Sequence, residues 1–237
     1  MVSKWDGKMN IQDERTIRVI GEESFEKLQN KHVLIFGLGG VGGYVVEGLV
    51  RAGIKHFTIV DNDVVQESNL NRQIIALYST IGQKKVDVVE KRILEIRKDA
   101  IVNKYEMFYL PEVVSNDFFE GIDYIVDAID TMTAKIDLVM KAKELNIPII
   151  SCMGTGNKLN PSMLEITDIK NTSYDPIAKR IRKYMKDNNL KRKLPVVYSK
   201  EQNNKFEGSI PSMIFVPSTA GLLCANYVIR KIIEKSL

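Results

Sequence analysis

A glycine cluster, Gly37-Leu38-Gly39-Gly40-Val41-Gly42-Gly43, stands between an apolar run, Val33-Leu34-Ile35-Phe36, and a helical pattern, Tyr44 to Val50. Glycines in a strand-to-helix turn let backbone N–H groups approach phosphate oxygens, and the helix N-terminus behind them favours an anion. A second apolar run, Phe57-Thr58-Ile59-Val60, ends at Asp61. That acid lies 61 − 37 = 24 residues after Gly37, near the spacing of about 20 expected of a carboxylate that takes a ribose hydroxyl. The glycines alone also fit a turn that merely lets helix and strand pack closely. Strand, turn, helix, strand and acid together predict a nucleotide site with Gly37, Gly39, Gly40, Gly42 and Asp61 at its centre.

Further polar residues follow. Asn69-Leu70-Asn71-Arg72-Gln73 comes first, then Ile81-Gly82-Gln83-Lys84-Lys85, then Asp127-Ala128-Ile129-Asp130 at the end of a later apolar run. On a parallel sheet these segments converge on its carboxyl edge, beside the glycine turn. The chemistry suggested is attack on a triphosphate. Arg72 can grip a phosphate through two N–H bonds, Lys85 can neutralise it as a point charge, and Asp130 can hold Mg2+. Taken singly, Arg72 and Lys85 also fit solvated helix faces, and Asp130 fits a helix N-cap.

Elements must hold these residues in place. Residues 14–30 read as one helix or two short ones, and residues 32–61 as a β-α-β unit. A helix is expected over 84–97, with Val86, Val89, Ile93 and Ile96 on one side. A strand near Ile101–Tyr109, a short helix over 111–120 and a buried strand at Tyr124–Asp127 follow, then a helix over 133–146 and a strand at Ile147–Ile150. Such alternation predicts a doubly wound, Rossmann-like α/β fold, a mostly parallel sheet with helices on both faces. Beyond residue 151 come a half-exposed strand at 164–169, a basic helix at 176–189, a short strand at 196–199 and an apolar helix from Ser218 to Glu234. No linker splits the chain, so one domain is expected over 1–237: a helical segment at about 10–30, a nucleotide core at about 31–150 and a substrate side at about 151–237.

The chain has 237 residues, 44% hydrophobic and 27% charged, with a net charge of +4. That is ordinary globular composition with enough apolar surface for a large core. No apolar stretch is long enough to span a membrane, and the first residues lack the core of a secretory signal, so a cytoplasmic protein is expected. The two cysteines, Cys152 and Cys224, cannot form a four-cysteine zinc site.

On these residues the chain resembles the ubiquitin-activating-enzyme-like (ThiF/MoeB/HesA) superfamily. Gly37 to Gly42, Asp61, Asn69 to Gln73, Lys85 and Asp130 match its ATP-binding positions, and Asp63 and Asp127 are counted with them. Its members adenylate a carboxylate with Mg-ATP and release pyrophosphate. Over about residues 14–235 the similarity sharpens to the branch of tRNA threonylcarbamoyladenosine dehydratases. It is carried by Arg18 with Gly21-Glu22, Gly154-Thr155-Gly156-Asn157-Lys158, Pro161, Asp168-Ile169, Lys170-Asn171-Thr172 and Asp175-Pro176. The resemblance implies ATP and Mg2+ as cofactors and tRNA as partner. The reaction implied is loss of water from a threonylcarbamoyl group through its adenylated carboxylate. It also implies a homodimer in which Arg18, with Arg15 nearby, reaches the partner's phosphates. A partnership with a cysteine desulfurase or other sulfur-acceptor system stays open.

Lys179, Arg180, Arg182, Lys183, Lys186, Lys191, Arg192 and Lys193 surround a single acid, Asp187. Such a run fits a solvated helix face or a phosphate-backbone contact; with tRNA implied, Lys179, Arg180, Arg182 and Lys183 are expected to bind RNA. Cys152 fits a buried small residue or a nucleophile, and an internal cyclisation needs no thioester. The alternatives are an adenylyltransferase for a ubiquitin-like sulfur carrier, a nucleotide sensor and an NAD-binding oxidoreductase. The missing Cys-x-x-Cys pairs and the basic segment count against the first. Arg72, Lys85 and Asp130 would have no evident purpose in the other two.

Overall fold

The computed structural model describes residues 11–110, 112, 114–190, 193–202 and 206–234. Helix α1 (Glu14–Ile20) and helix α2 (Glu22–Gln29) open the chain and meet at Gly21. The nucleotide half then runs β1 (His32–Phe36), α3 (Gly42–Ala52), β2 (His56–Val60), α4 (Lys85–Ile96), β3 (Ile101–Tyr105), β4 (Tyr124–Asp127), α5 (Met132–Glu144) and β5 (Ile149–Cys152). The remainder adds β6 (Leu164–Asp168), α6 (Pro176–Asp187), β7 (Pro195–Ser199) and α7 (Phe215–Glu234).

The seven strands form one sheet in the order β3-β2-β1-β4-β5-β7-β6. Every pairing is parallel except that of β6 with β7. The strands of the centre are apolar on both sides, as a sheet covered on both faces requires. In β1, Val33 and Ile35 join the core shared with α2, α3, α4 and α7, while Leu34 and Phe36 join the core shared with α5 and α6. Each such fully buried side chain contributes about 1.5–3 kcal/mol of burial free energy.

Helix α7 lies directly on α3. A Cβ at Gly48 would fall 2.8 Å from Ala225 Cβ, and one at Gly221 only 2.3 Å from the Val41 carbonyl oxygen. The glycine turn thus rests on the last helix of the chain, although nearly the whole sequence separates them.

Three expected boundaries shift. The strand expected to reach Tyr109 ends at Tyr105, because its partner β2 ends at Val60 and offers no further hydrogen bonds. The expected helix over 111–120 is a single 3-10 turn, Asn116–Phe119, and residues 111 and 113 lie outside the described part. The strand expected at Ile147–Ile150 pairs two residues later, since β4 fixes its register through Ile125 and Ile149. Among the described residues no helix is long and apolar enough to cross a membrane.

Candidate active site

A cleft of about 530 Å3 opens at the carboxyl ends of β1, β2 and β4. This is where the strand order reverses between β1 and β4, the place at which doubly wound sheets leave room for a ligand. The cleft carries the glycine turn, Asp61, Asp63, Asn69, Arg72, Gln73, Lys85 and Asp130 on its wall.

The glycines fall into two kinds. Gly37 has a φ of +85°, and a Cβ there would sit 2.7 Å from the Ala128 carbonyl oxygen. At Gly42 a Cβ would lie 1.7 Å from the Gly37 carbonyl oxygen. Both are imposed by the fold. At Gly39 the nearest atom to a Cβ would be 3.7 Å away, and at Gly40 3.4 Å away, both ordinary contacts. The protein itself does not require glycine at these two cleft positions, whereas close approach of a phosphate to the backbone does. Behind them, the N-terminus of α3 has no side-chain cap; the Gly43 and Tyr44 N–H groups turn back to the Gly39 and Val41 carbonyls at 3.1 and 3.0 Å, and the positive end of the helix dipole favours an anion in front of them.

Asp61 is half-buried. Its Oδ2 accepts from the Leu38 N–H at 2.6 Å and its Oδ1 from the Asp63 N–H at 2.8 Å. Burial pushes its carboxyl above the usual range, while Lys85 and these two N–H groups pull it back. The acid therefore pins the first residues of the glycine turn while lining the cleft. Lys85 is only 4% exposed and pairs with Asp63 at 2.7 Å. Arg72 is fixed by Nη1, which donates to the Ser68 carbonyl at 2.8 Å and to Asn71 Oδ1 at 2.9 Å. Its Nε and Nη2 have no partner among the described residues. Asn69 shapes the loop by accepting from the Gln66 N–H at 3.0 Å.

Gln73 is 8% exposed, and its Oε1 is buried without a hydrogen-bond partner among the described residues. Orphaned buried acceptors are rare in folded proteins, and one on a cleft wall fits a donor brought by a ligand.

Asp130 is exposed to the cleft. The N-cap of α5 is Thr131, which closes the N-cap reading of Asp130. Asp127, expected at the nucleotide, is a correction. It is fully buried and does not line the cleft. Its oxygens take Lys135 Nζ at 3.0 and 3.1 Å and the Ser151 hydroxyl, and Oδ1 also takes the Ile129 N–H at 3.2 Å. It braces the turn from beneath. Lys135 also donates to the Cys152 carbonyl at 2.6 Å, tying β4, β5 and α5 together.

Other cleft residues escaped the sequence reading. Met107, Phe108 and Tyr109, with Phe36 and Val60, make an apolar wall of a kind that suits a flat ring. Tyr109 packs edge-on to Phe36, with centroids 4.7 Å apart, and donates to Asp137. Burial, then this bond, pushes its hydroxyl well above the ordinary tyrosine range. The available signal was an aromatic run directly after β3. Thr155, Ser212 and Pro217 join from the C-terminal half.

Arg18 stands apart. Its side chain is 76% exposed, pairs with Glu14 on its own helix and does not line the cleft of its own chain. Cys152 and Cys224 are both buried, and neither lines the cleft. A hydrogen bond with Cys152 and burial push the Cys224 thiol up, as expected of core thiols. Among the described residues no group of three His, Cys, Asp or Glu forms a metal cage.

Helix α6 buries Ala178, Ile181 and Met185 and exposes Lys179, Arg180, Lys183 and Lys186. Arg182 differs from them. It is half-buried, and its Nη1 donates to the Thr172 carbonyl at 3.1 Å and to the Thr172 hydroxyl. Lys193 is exposed, while Lys191 and Arg192 lie outside the described residues.

Comparison with known proteins agrees with this geometry. A family model, described as the ThiF family, matches residues 12–236. A tRNA threonylcarbamoyladenosine dehydratase of Bacillus subtilis is 37% identical over 233 residues, 91% of this chain and 92% of that protein. The crystal structure of the E. coli tRNA N6-threonylcarbamoyladenosine dehydratase in complex with ATP superposes with a TM-score of 0.89 at 29% identity, covering 95% of each chain. The AMP complex of that enzyme gives 0.88 over 94% of each chain.

Proposed function

The chain belongs to the ThiF family, and from that membership we propose that it is an ATP-dependent tRNA threonylcarbamoyladenosine dehydratase. The observation that carries this reading is the cleft itself. A glycine turn left open at Gly39 and Gly40 faces Arg72, Lys85 and Asp130 across a space of nucleotide size. Relatives bearing that activity, matched over 92% and 81% of their own length, supply the substrate class.

The chemistry follows from the residues. The backbone at Gly39 and Gly40 and the uncapped α3 terminus hold phosphates, Arg72 and Lys85 stabilise the charge that develops as pyrophosphate departs, and the Met107–Tyr109 wall receives the base. Asp130 would hold Mg2+ together with phosphate oxygens, as a single carboxylate commonly does. The metal supplies charge neutralisation on the phosphates. The substrate carboxylate attacks the α-phosphorus, giving an acyl-adenylate. An internal nucleophile of the threonylcarbamoyl group then attacks the acyl carbon, loses its proton and expels AMP with one former carboxylate oxygen. The net change is loss of one water. Because the nucleophile is tethered, proximity replaces an enzyme thioester, consistent with both cysteines lying in the core.

Lys179, Arg180 and Lys183 on α6 are proposed to contact the tRNA backbone, with Arg182 serving chiefly to fix the helix to its preceding loop. A homodimer is proposed in which exposed Arg18 serves the partner's cleft; mixing Arg18→Ala with Asp130→Ala chains should partly restore activity. A cytoplasmic location goes with a tRNA substrate. The deciding experiment is mass spectrometry of nucleosides from modified tRNA incubated with the protein and Mg-ATP. Loss of one water from threonylcarbamoyladenosine is expected; an unchanged nucleoside contradicts the reading.

A further inference from the structure

We propose that a small cavity beside the nucleotide cleft seats the carboxylate-bearing substituent of the substrate nucleoside, with the Lys158 ammonium as its counter-ion. This rests on the dehydratase reading above. The cavity is about 270 Å3 and lies between the loop carrying Lys158 and Leu159 and the segment carrying Ser212 and Met213. Ser212 lines both this cavity and the cleft, and Thr155, three residues before Lys158, lines the cleft. The two spaces therefore adjoin. The smaller is below the usual range of about 300–1,000 Å3 for drug-sized ligands, and suits a substituent of amino-acid size.

Its walls are tied to the loop that carries Asn71 and Arg72. The Asn157 N–H donates to the Pro211 carbonyl at 2.6 Å, and Asn71 Nδ2 donates to the Ser212 carbonyl at 2.9 Å. Asn71 also holds Arg72 at 2.9 Å. A group seated here is thus referenced to the guanidinium that faces the phosphates.

Lys158 is 7% exposed, and its ammonium donates to the Glu201 carbonyl oxygen at 2.6 Å. The nearby acids are engaged elsewhere. The Glu201 carboxylate accepts from the Leu159 N–H at 3.0 Å and the Asn160 N–H at 2.8 Å. Asp175 caps α6 through the Ala178 N–H at 2.8 Å and accepts from the Gly154 N–H at 3.1 Å. Burial lowers the Lys158 pKa, while the charges of Asp175 and Glu201 oppose the shift. Among the described residues no carboxylate pairs directly with this ammonium, whose hydrogen bond goes to a neutral carbonyl, and an incoming carboxylate would supply the direct pair. Leu159 and Met213, both exposed, offer apolar surface at the mouth. Orientation is the role assigned; the carboxylate attacks already ionised, so no proton passes to Lys158.

The test compares binding of the free nucleoside N6-threonylcarbamoyladenosine with binding of its methyl ester, in the presence of a non-hydrolysable ATP analogue. Wild-type protein should prefer the acid by about tenfold or more, the range of a hydrogen bond to a charged group. Lys158→Met should lose that preference and raise KM for modified tRNA while KM for ATP stays constant. Lys158→Arg should restore part of it. Equal binding of acid and ester by wild type overturns the assignment without any variant, as does a preference that survives in Lys158→Met. If Lys158→Met melts early, Lys158→Gln replaces it. Failure of wild type to dehydrate modified tRNA removes the dehydratase reading, and the acid-over-ester comparison still decides the seat.

Discussion

Asp127 and Asp130 stand three residues apart on one turn and do opposite work. Asp127 is sealed beneath the cleft, with Lys135, the Ser151 hydroxyl and a backbone N–H on its oxygens. Asp130 stands in the cleft, exposed. The same contrast recurs among the cations. Arg97, 2% exposed and paired with Asp13, locks the N-terminal segment onto α4, while Arg72 is held at the cleft wall by one nitrogen with others unengaged. A buried charge survives only with a full set of partners, so its worth is in stability. A charge left short of partners at a ligand-sized opening is worth more to the ligand than to the fold.

The comparison can be broken most forcefully at its buried end. Lys135→Met should strand the Asp127 carboxylate and cost about 3–5 kcal/mol of stability, read as a large fall in thermal midpoint. Adding Asp127→Asn should recover part of that loss, since the stranded charge goes. Recovery of nothing would mean that Lys135 acts through packing alone. At the open end the signs reverse. Asp130→Asn should leave the thermal midpoint within a degree or two and lower kcat by roughly 100-fold, the scale of removing one preorganised electrostatic group. A stability loss matching that of Lys135→Met would erase the distinction.

Gly40→Ala sharpens the same contrast along the backbone. The nearest atoms to its new Cβ belong to Pro217 and Arg72 and lie at ordinary distances, so stability should hold while ATP affinity falls by about tenfold. Gly42→Ala, aimed at the Gly37 carbonyl 1.7 Å away, should instead destabilise the turn itself. Calorimetric titration alongside thermal melts separates the two.

The smallest effect lies at the start of the central strand β1, at the end of the sheet opposite the cleft. Burial, then the charge of His56, holds His32 below the ordinary histidine range, against the pull of Asp123. The unfolded chain therefore binds the proton more tightly than the folded one. Stability should rise with pH in the window just below about pH 6.5 and be lost as pH falls through it. His32→Gln should flatten that slope in melts taken across the window; an unchanged slope places the sensitivity elsewhere.

Much of this was legible in the sequence. The glycine turn, Asp61, Arg72, Lys85 and the α/β alternation could be read because local spacing encodes them. Asp127 could not be separated from Asp130, since both end an apolar run. Its fate depends on Lys135, whose ammonium turns back under β4 only once α5 has packed. Met107 to Tyr109 reads as strand in the sequence because aromatic residues favour strands, but the strand that would pair with it stops at Val60. Thr155, Ser212 and Pro217 reach the cleft through contacts of long range that no local pattern records. In α6 the charge run was visible, but not that Arg182 turns inward to Thr172.

The central claim is that the cleft activates a carboxylate by joining it to AMP. It is tested most directly with modified tRNA whose threonyl carboxylate carries a heavy oxygen isotope. Incubated with the protein and Mg-ATP, that tRNA should lose one labelled oxygen to AMP, which mass spectrometry would find heavier by one isotopic substitution in step with product formation. Unlabelled AMP, or ADP with the label in inorganic phosphate, would contradict the account.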